Sequence, residues 1–309
     1  MKSAEYVREP DRHLDRVASP LTTFIDTSGN YDGVEPVTAP LRMPTGIGSL
    51  DPVMEGGVPP GSIMLLLGDI GAGSFEFVYT SIINLAMLQR RDSQNPSLPS
   101  EILYITFTKM KEDVRREVGL SFDESLASEL ESDYVRFSDL SEQYFETSPV
   151  PNEWYTADDL ITRLKRRSEH VSTLVQLSAV LESAPERSLI ILDSLTELAV
   201  SYSDPTDWKE LAAYLRGLQR ITKRWNTTIY LLLTQGIIDR NRVQEIADIA
   251  DSVILFRWEE SVASRRQRVM FFEKFRGVMT HLEENDLVKF SIKISPALGY
   301  EVNNIRLII

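Results

Sequence analysis

Five apolar residues, Ile63-Met64-Leu65-Leu66-Leu67, run directly into Gly68-Asp69-Ile70-Gly71-Ala72-Gly73-Ser74-Phe75, and helical spacing continues from Phe75 to Gln89. A buried strand, a glycine turn and a helix in that order predict the first unit of a layered α/β fold. The glycines have the skeleton of a phosphate-binding loop, GxxxxGK followed by Ser or Thr. In such a loop successive backbone N–H groups wrap a phosphate, while the Lys and the hydroxyl serve the terminal phosphates and Mg2+. Here Ser74 stands for the lysine and Phe75 for the hydroxyl.

The β-then-α order repeats along the chain. A second strand is expected at Ile102 to Phe107 and a charged helix at Lys111 to Val118, with a short strand at Tyr134 to Phe137. Ser148 to Asn152 read as a Pro-broken loop. Thr156 with Asp159 then resemble a capping box for a long helix carrying Leu160, Leu164, Val171, Leu174, Val175 and Leu181. A third clear strand, Leu189 to Leu192, ends at Asp193. After it Trp208, Leu211, Leu215, Leu218, Thr222 and Trp225 recur at three and four, a stripe that packs on a sheet or forms a partner groove; packing is the expectation. Further strands are expected at Thr228 to Leu233, Ser252 to Phe256, Val269 to Glu273 and Val288 to Ile294. Helical connections early and hairpins late imply an α/β fold with a mainly parallel central sheet flanked by helices and an antiparallel C-terminal hairpin edge. Residues 1–40, rich in charge, Pro, Ser and Thr, are expected to be a mobile or loosely docked arm, and 41–309 a single domain.

Composition removes several function classes. No cysteine is present, which excludes disulfides and thiolate zinc sites, and His13, His170 and His281 are too scattered to suggest a metal cluster. No apolar run reaches the roughly 18 residues of a membrane span and the N-terminus is charged, so the expected location is the cytoplasm. The net charge of −13 argues against unassisted binding to nucleic acid. Acidity with Arg above Lys suits either a halophile's cytosol or an ordinary acidic protein.

Upstream of the loop stand Thr45-Gly46-Ile47-Gly48-Ser49-Leu50-Asp51 and Glu55-Gly56-Gly57-Val58-Pro59-Pro60-Gly61. Downstream are Asp193-Ser194, Asp251-Ser252-Val253-Ile254-Leu255 and Lys274-Phe275-Arg276-Gly277. In this order and spacing the blocks resemble the RecA/KaiC family of P-loop ATPases, in its archaeal KaiC-type branch, over roughly residues 43 to 300. The resemblance implies a RecA-like P-loop fold with ATP as the candidate cofactor. It implies nucleotide contacts from Gly68, Asp69, Ile70, Gly71, Ala72, Gly73, Ser74 and Phe75. Asp193 falls at the Walker B carboxylate, which orients Mg2+ through water, and Gln235, after Thr234, at a sensor position. Lys274 and Arg276 match a Lys-x-Arg pair that reaches the neighbouring subunit's nucleotide. The natural partners are a second copy of the chain or an intact KaiC-like paralogue.

At the decisive positions the match fails. Ser74 supplies no charge and Phe75 no metal ligand, and Thr108-Lys109 stands where the branch places paired glutamates that activate water. A positioned base is worth on the order of 10^2 to 10^4 in rate. Glu76 adds a negative charge in the first turn of the helix, which a triphosphate would oppose. Lys109 has two readings, a solvated surface lysine, which is favoured, or a partial replacement for the missing loop charge. Arg265, Arg266 and Arg268 form a small basic cluster for an acidic partner or nucleic acid. The leading expectation is a catalytically degenerate regulatory or scaffolding subunit with weak or absent ATP binding. The alternatives are an atypical ATPase or autokinase using Lys109 and Glu112, and a recombinase-like DNA-binding mediator.

Overall fold

A computed structural model describes residues 41–146, 148–155, 172–260, 266–284 and 288–304, all within one unit, Pro40–Ile309. The expected N-terminal arm lies outside the described residues, as do Thr156, Asp159, Leu160, Leu164, Val171 and Arg265. The apolar runs form the strands β1 Ile63–Gly68, β2 Ile102–Thr106, β3 Val135–Asp139, β4 Leu189–Asp193 and β5 Thr228–Thr234. They are followed by β6 Ser252–Glu260, β7 Arg266–Phe275, β8 Lys289–Ser295 and β9 Gly299–Asn304. Among the described residues these make a nine-stranded sheet ordered β3-β2-β4-β5-β1-β6-β7-β8-β9. From β3 to β6 neighbours are parallel, and β6 to β9 are antiparallel, as the sequence predicts. Every residue of β1, β2 and β4 is buried, which explains why they read as continuous apolar runs rather than alternating ones.

The helices are α1 Ser74–Arg91, α2 Lys111–Ser121, α3 Glu124–Ala127, α4 Ser141–Phe145 and α5 Thr173–Glu182, then α6 Leu195–Ser201, α7 Pro205–Trp225, α8 Arg240–Ile249 and α9 Met279–Glu284. On one face of the sheet, α1 packs Phe77 against Tyr230, Phe256 and Tyr300, with ring centroids 5.4 to 6.1 Å apart. On the other face, Trp208, Leu211, Leu215 and Leu218 of α7 join Leu65, Ile190 and Leu231 in a second core. The three-and-four stripe is therefore spent on the sheet, with Thr222 also buried and Trp225 packed against the same core.

Strand β9 is the element that sequence patterning does not give, because Tyr300 and Val302 are its only large apolar residues. Its start is fixed by contact with α1. Gly299 has φ +72°, and a Cβ there would lie 2.6 Å from Thr80 Oγ1. The next amide, Tyr300 N–H, donates to that same hydroxyl at 2.9 Å.

The blocks before β1 form a clasp beneath α1. Asp51 accepts from Thr45 N at 2.7 Å, Thr45 Oγ1 at 2.6 Å and Gly46 N at 3.2 Å, and Asn84 of α1 donates to the Gly46 carbonyl at 2.8 Å. Gly57 adopts φ +128°, and a Cβ there would sit 2.0 Å from the Met43 carbonyl oxygen. No helix among the described residues is long and apolar enough to cross a membrane.

Candidate functional site

The glycine loop leaves the C-terminal end of β1 and turns on Gly71 (φ +72°) and Gly73 (φ +109°), the latter as N-cap of α1. No side chain caps that helix end. The first-turn N–H groups of a helix lack intrahelical partners, so the loop keeps the backbone form that receives an anion. It is held from outside by the β6–β7 hairpin. Asp69 N–H donates to the Phe256 carbonyl at 2.9 Å, Trp258 Nε1 to the Ile70 carbonyl at 3.1 Å, and Arg268 Nε to the Gly71 carbonyl at 2.9 Å. Ala72 N–H closes the turn onto the Asp69 carbonyl at 3.0 Å. The Arg266 and Arg268 guanidiniums stack on the Trp258 ring at 4.1 and 4.7 Å. These two arginines of the basic cluster thus brace Trp258, and Arg268 the loop.

Inside the loop the substituted side chains turn away from chemistry. Ser74 is buried against Gly68, where a Cβ would lie 2.8 Å from its hydroxyl oxygen. Phe75 is half-buried and contacts Tyr79 at 6.3 Å between ring centroids. Ile70, at the loop tip, is 80% exposed. Burial, and after it the Glu76 charge, push the Tyr300 hydroxyl well above its ordinary range, against the opposing pull of Arg268.

Asp193, at the end of β4, is 3% exposed and accepts the Tyr104 hydroxyl at 2.7 Å. Lys109, just past β2, is the finding that corrects the surface-lysine expectation. Its Nζ lies 3.4 Å from Asp193 Oδ2, 3.1 Å from Glu117 Oε2 of α2 and 4.3 Å from the Phe75 ring centroid. Burial pushes the Asp193 carboxyl above the usual carboxylate range, against the opposing pull of the Lys109 ammonium and the Tyr104 hydroxyl. Burial also weighs against charge on Lys109, but the two facing carboxylates outweigh it and hold the ammonium above its ordinary value. Tyr79 completes the group by donating to Glu117 Oε2 at 2.6 Å. Nothing in the spacing of Tyr79, Tyr104 and Glu117 announced this network, since they come from three separate elements.

Next to Asp193, Ser194 and Glu197 form a capping box that opens α6, with Thr196 N–H on the Ser194 hydroxyl at 3.2 Å. The Asp193–Ser194 peptide is cis. Gln235 is exposed beside the loop, and its N–H donates to the Gly68 carbonyl at 2.8 Å.

Lys274 and Arg276 both pair within the chain, although the Arg276 side chain stays 58% exposed. Lys274 Nζ donates to the Ala247 and Asp248 carbonyls at 3.0 and 2.8 Å, at the C-terminal end of α8 where a cation complements the helix dipole. Arg276 pairs with the buried Asp251 at 3.0 Å, which also takes Lys223 at 3.0 Å. Register puts them at the far end of the sheet from the loop: Lys274 pairs with Val253 and Leu65 with Val253, whereas Gly68 pairs with Phe256.

The Mg2+ that this loop and strand-end carboxylate imply does not fit the residues present. Phe75 offers carbon where a hydroxyl oxygen would ligate, and Asp193 already faces an ammonium. Among the described residues, no three His, Asp or Glu side chains are grouped to hold a metal ion.

Comparison with known proteins agrees with the architecture. A family model described as the KaiC ATPase matches residues 43–295. The KaiC-like protein PH0186 of the archaeon Pyrococcus horikoshii OT3 superposes with a TM-score of 0.54 at 19% identity, over 85% of this chain and 98% of that one. The flagellar accessory protein FlaH of Methanocaldococcus jannaschii does so with a TM-score of 0.56 at 15% identity, again over 85% and 98%. At these identities the two structures establish the fold alone. No curated protein sequence matches significantly.

Proposed function

We infer that this chain, which belongs to the KaiC family of ATPases, acts as a regulatory or scaffolding subunit that has lost hydrolysis and binds ATP weakly or not at all. The observation that carries this reading is the fate of Ser74. Where the loop's own helix should send a cation over the phosphates, a neutral hydroxyl is buried against Gly68. Two further losses act in the same direction. Phe75 brings no oxygen to a metal, and the end of β2 brings the Lys109 ammonium in place of a carboxylate base. General-base catalysis alone supplies on the order of 10^2 to 10^4 in rate.

An autokinase built on Lys109 and Glu112 is not favoured. Lys109 is committed to two carboxylates, and Glu112 is exposed on α2 with Arg115 3.9 Å away. The partner we propose is a second copy or an intact KaiC-like paralogue in the cytoplasm. Lys274 and Arg276, at the opposite end of the sheet, cannot serve the glycine loop of their own subunit, which suits a role toward a neighbour. The test is equilibrium binding of a fluorescent ATP analogue to the full-length protein, with ATPase activity measured alone and during titration into an intact paralogue. The reading expects no turnover alone and a changed rate for the paralogue. Magnesium-dependent turnover by the isolated chain, abolished by Asp193→Asn, would overturn it.

A further inference from the structure

We propose that Lys109 is a tethered cation occupying the place of the divalent ion, and that it keeps metal and metal–nucleotide complexes out of the crevice. The inference rests on the reading that the chain is no Mg2+-dependent ATPase, and it names the device that makes it so.

Two carboxylate oxygens from different elements converge on one atom. Asp193 Oδ2, from the end of β4, lies 3.4 Å from Lys109 Nζ, and Glu117 Oε2, from α2, lies 3.1 Å from it. Each of those same oxygens also accepts a tyrosine hydroxyl, Tyr104 at 2.7 Å on Asp193 and Tyr79 at 2.6 Å on Glu117. Converging carboxylates oriented by outer hydrogen bonds are how proteins prepare a site for a hard cation. At the centre of this one stands an ammonium, the compact, strongly hydrated point charge that best imitates such an ion.

The third side is closed by Phe75, whose ring centroid is 4.3 Å from Nζ. An aromatic face attracts a cation and gives no lone pair to a metal. The Ser or Thr expected at position 75 and the lysine expected at position 74 have thus both gone, and the cation that faces Asp193 comes from the end of β2. Metal and ammonium cannot share the position, because Mg2+ binds oxygen at about 2.0–2.1 Å and would need the volume that Nζ fills. Tethering gives the ammonium an effective local concentration that free divalent ion does not match. One positive charge facing two negative ones leaves the floor of the crevice net acidic, which also disfavours a bare triphosphate.

The experiment uses Mn2+ alone as probe, without nucleotide, followed by electron paramagnetic resonance on full-length wild type, Asp193→Asn, Lys109→Met and Lys109→Met/Asp193→Asn at mildly alkaline pH. We expect wild type and Asp193→Asn to bind Mn2+ alike. Lys109→Met should gain a site at least about tenfold tighter than any in wild type, lost again when Asp193→Asn is added. Wild-type binding that Asp193→Asn removes would overturn the proposal, as would a folded Lys109→Met protein that gains no site. If Lys109→Met does not fold, Lys109→Ser carries the same two outcomes, and the wild-type comparison decides without either. ATP turnover is measured separately. Turnover in a crevice silent to Mn2+ would sink the functional reading and leave the role of Lys109 standing.

Discussion

The Lys109–Asp193 pair makes a quantitative prediction about stability. Lys109→Met removes the counter-ion of a carboxylate that is only 3% exposed, while the Tyr104 hydroxyl at 2.7 Å remains. Breaking a fully buried pair from one side costs about 3–5 kcal/mol. The Lys109 side chain keeps 27% of its surface exposed, so water relieves part of that, and about 2–3 kcal/mol is expected. In a domain of this size that corresponds to a fall in Tm of roughly 4–6 °C. Asp193→Asn leaves an amide facing the ammonium and should cost about 1–2 kcal/mol. Lys109→Met/Asp193→Asn removes both charges together and should be more stable than the sum of the single losses by at least about 1 kcal/mol. Urea unfolding at low salt with a chelator present measures all four proteins.

The same variants carry a pH signature. Burial raises the folded-state Asp193 carboxyl above 3.8, so the folded protein holds that proton more tightly than the unfolded chain. A group of this kind lends stability at low pH that is lost as pH rises through its folded value. Lys109 is the strongest influence opposing the rise. Lys109→Met should therefore lose more stability than wild type as pH rises above the ordinary carboxylate range, and Lys109→Met/Asp193→Asn should lose that excess. Additivity within about 0.5 kcal/mol, together with parallel pH profiles, would refute the claim that the ammonium is the counter-ion of Asp193.

Gly57→Ala places a Cβ 2.0 Å from the Met43 carbonyl oxygen at φ +128°, and should cost on the order of 2–4 kcal/mol by urea unfolding. Asp51→Ala removes three hydrogen bonds around Thr45 and Gly46 and should lower stability by about 2–3 kcal/mol in the same assay. Arg268→Met keeps the alkyl packing on Gly73 but loses the 2.9 Å bond to the Gly71 carbonyl. Amide exchange at residues 70–74 should then quicken by roughly tenfold, with little change in global unfolding. Ser74→Lys combined with Phe75→Thr, measured by ATP turnover with Mg2+, should not restore hydrolysis, because Lys109 still stands where a base would act.

The parts of the fold that the sequence foretold are those set by local period. The apolar runs at Ile63, Ile102, Leu189 and Thr228 became parallel strands because strands buried on both faces have no choice but to be apolar throughout. The three-and-four stripe from Trp208 became the inner face of α7 for the same reason. Strand β9 escaped because its position depends on the approach of Gly299 to Thr80, a contact between residues far apart in the chain. At the site, the glycine loop and Asp193 were legible from spacing. The role of Lys109 was not, because its meaning lies in Glu117, Tyr79, Tyr104 and Phe75, which only the folded sheet gathers. The structural contacts of the arginines before Lys274 were hidden for a related reason: a charge run gives no sign of the Trp258 ring and loop carbonyl that the fold sets against it.

The retention of Asp193 beside Ser74 and Phe75 follows from the network. A buried carboxylate without a cation is among the most expensive groups a fold can hold, and one whose ion is lost must be neutralised, removed or given another charge. Lys109 supplies that charge from the next strand, within 3.4 Å, and Glu117 helps to keep the ammonium in place. Once the lysine is there, restoring a metal ligand at position 75 gains nothing, because the ion it would hold has no room. Restoring a cation at position 74 alone still leaves β2 without a base. On the reading that this subunit does not hydrolyse ATP, each substitution removes the advantage of reversing the others, while Asp193 stays as the partner of Lys109. The glycine loop is kept on a separate ground: Gly73 lies against Ile294, Tyr300 and Arg268, so its shape is fixed by packing whether or not a phosphate ever enters it.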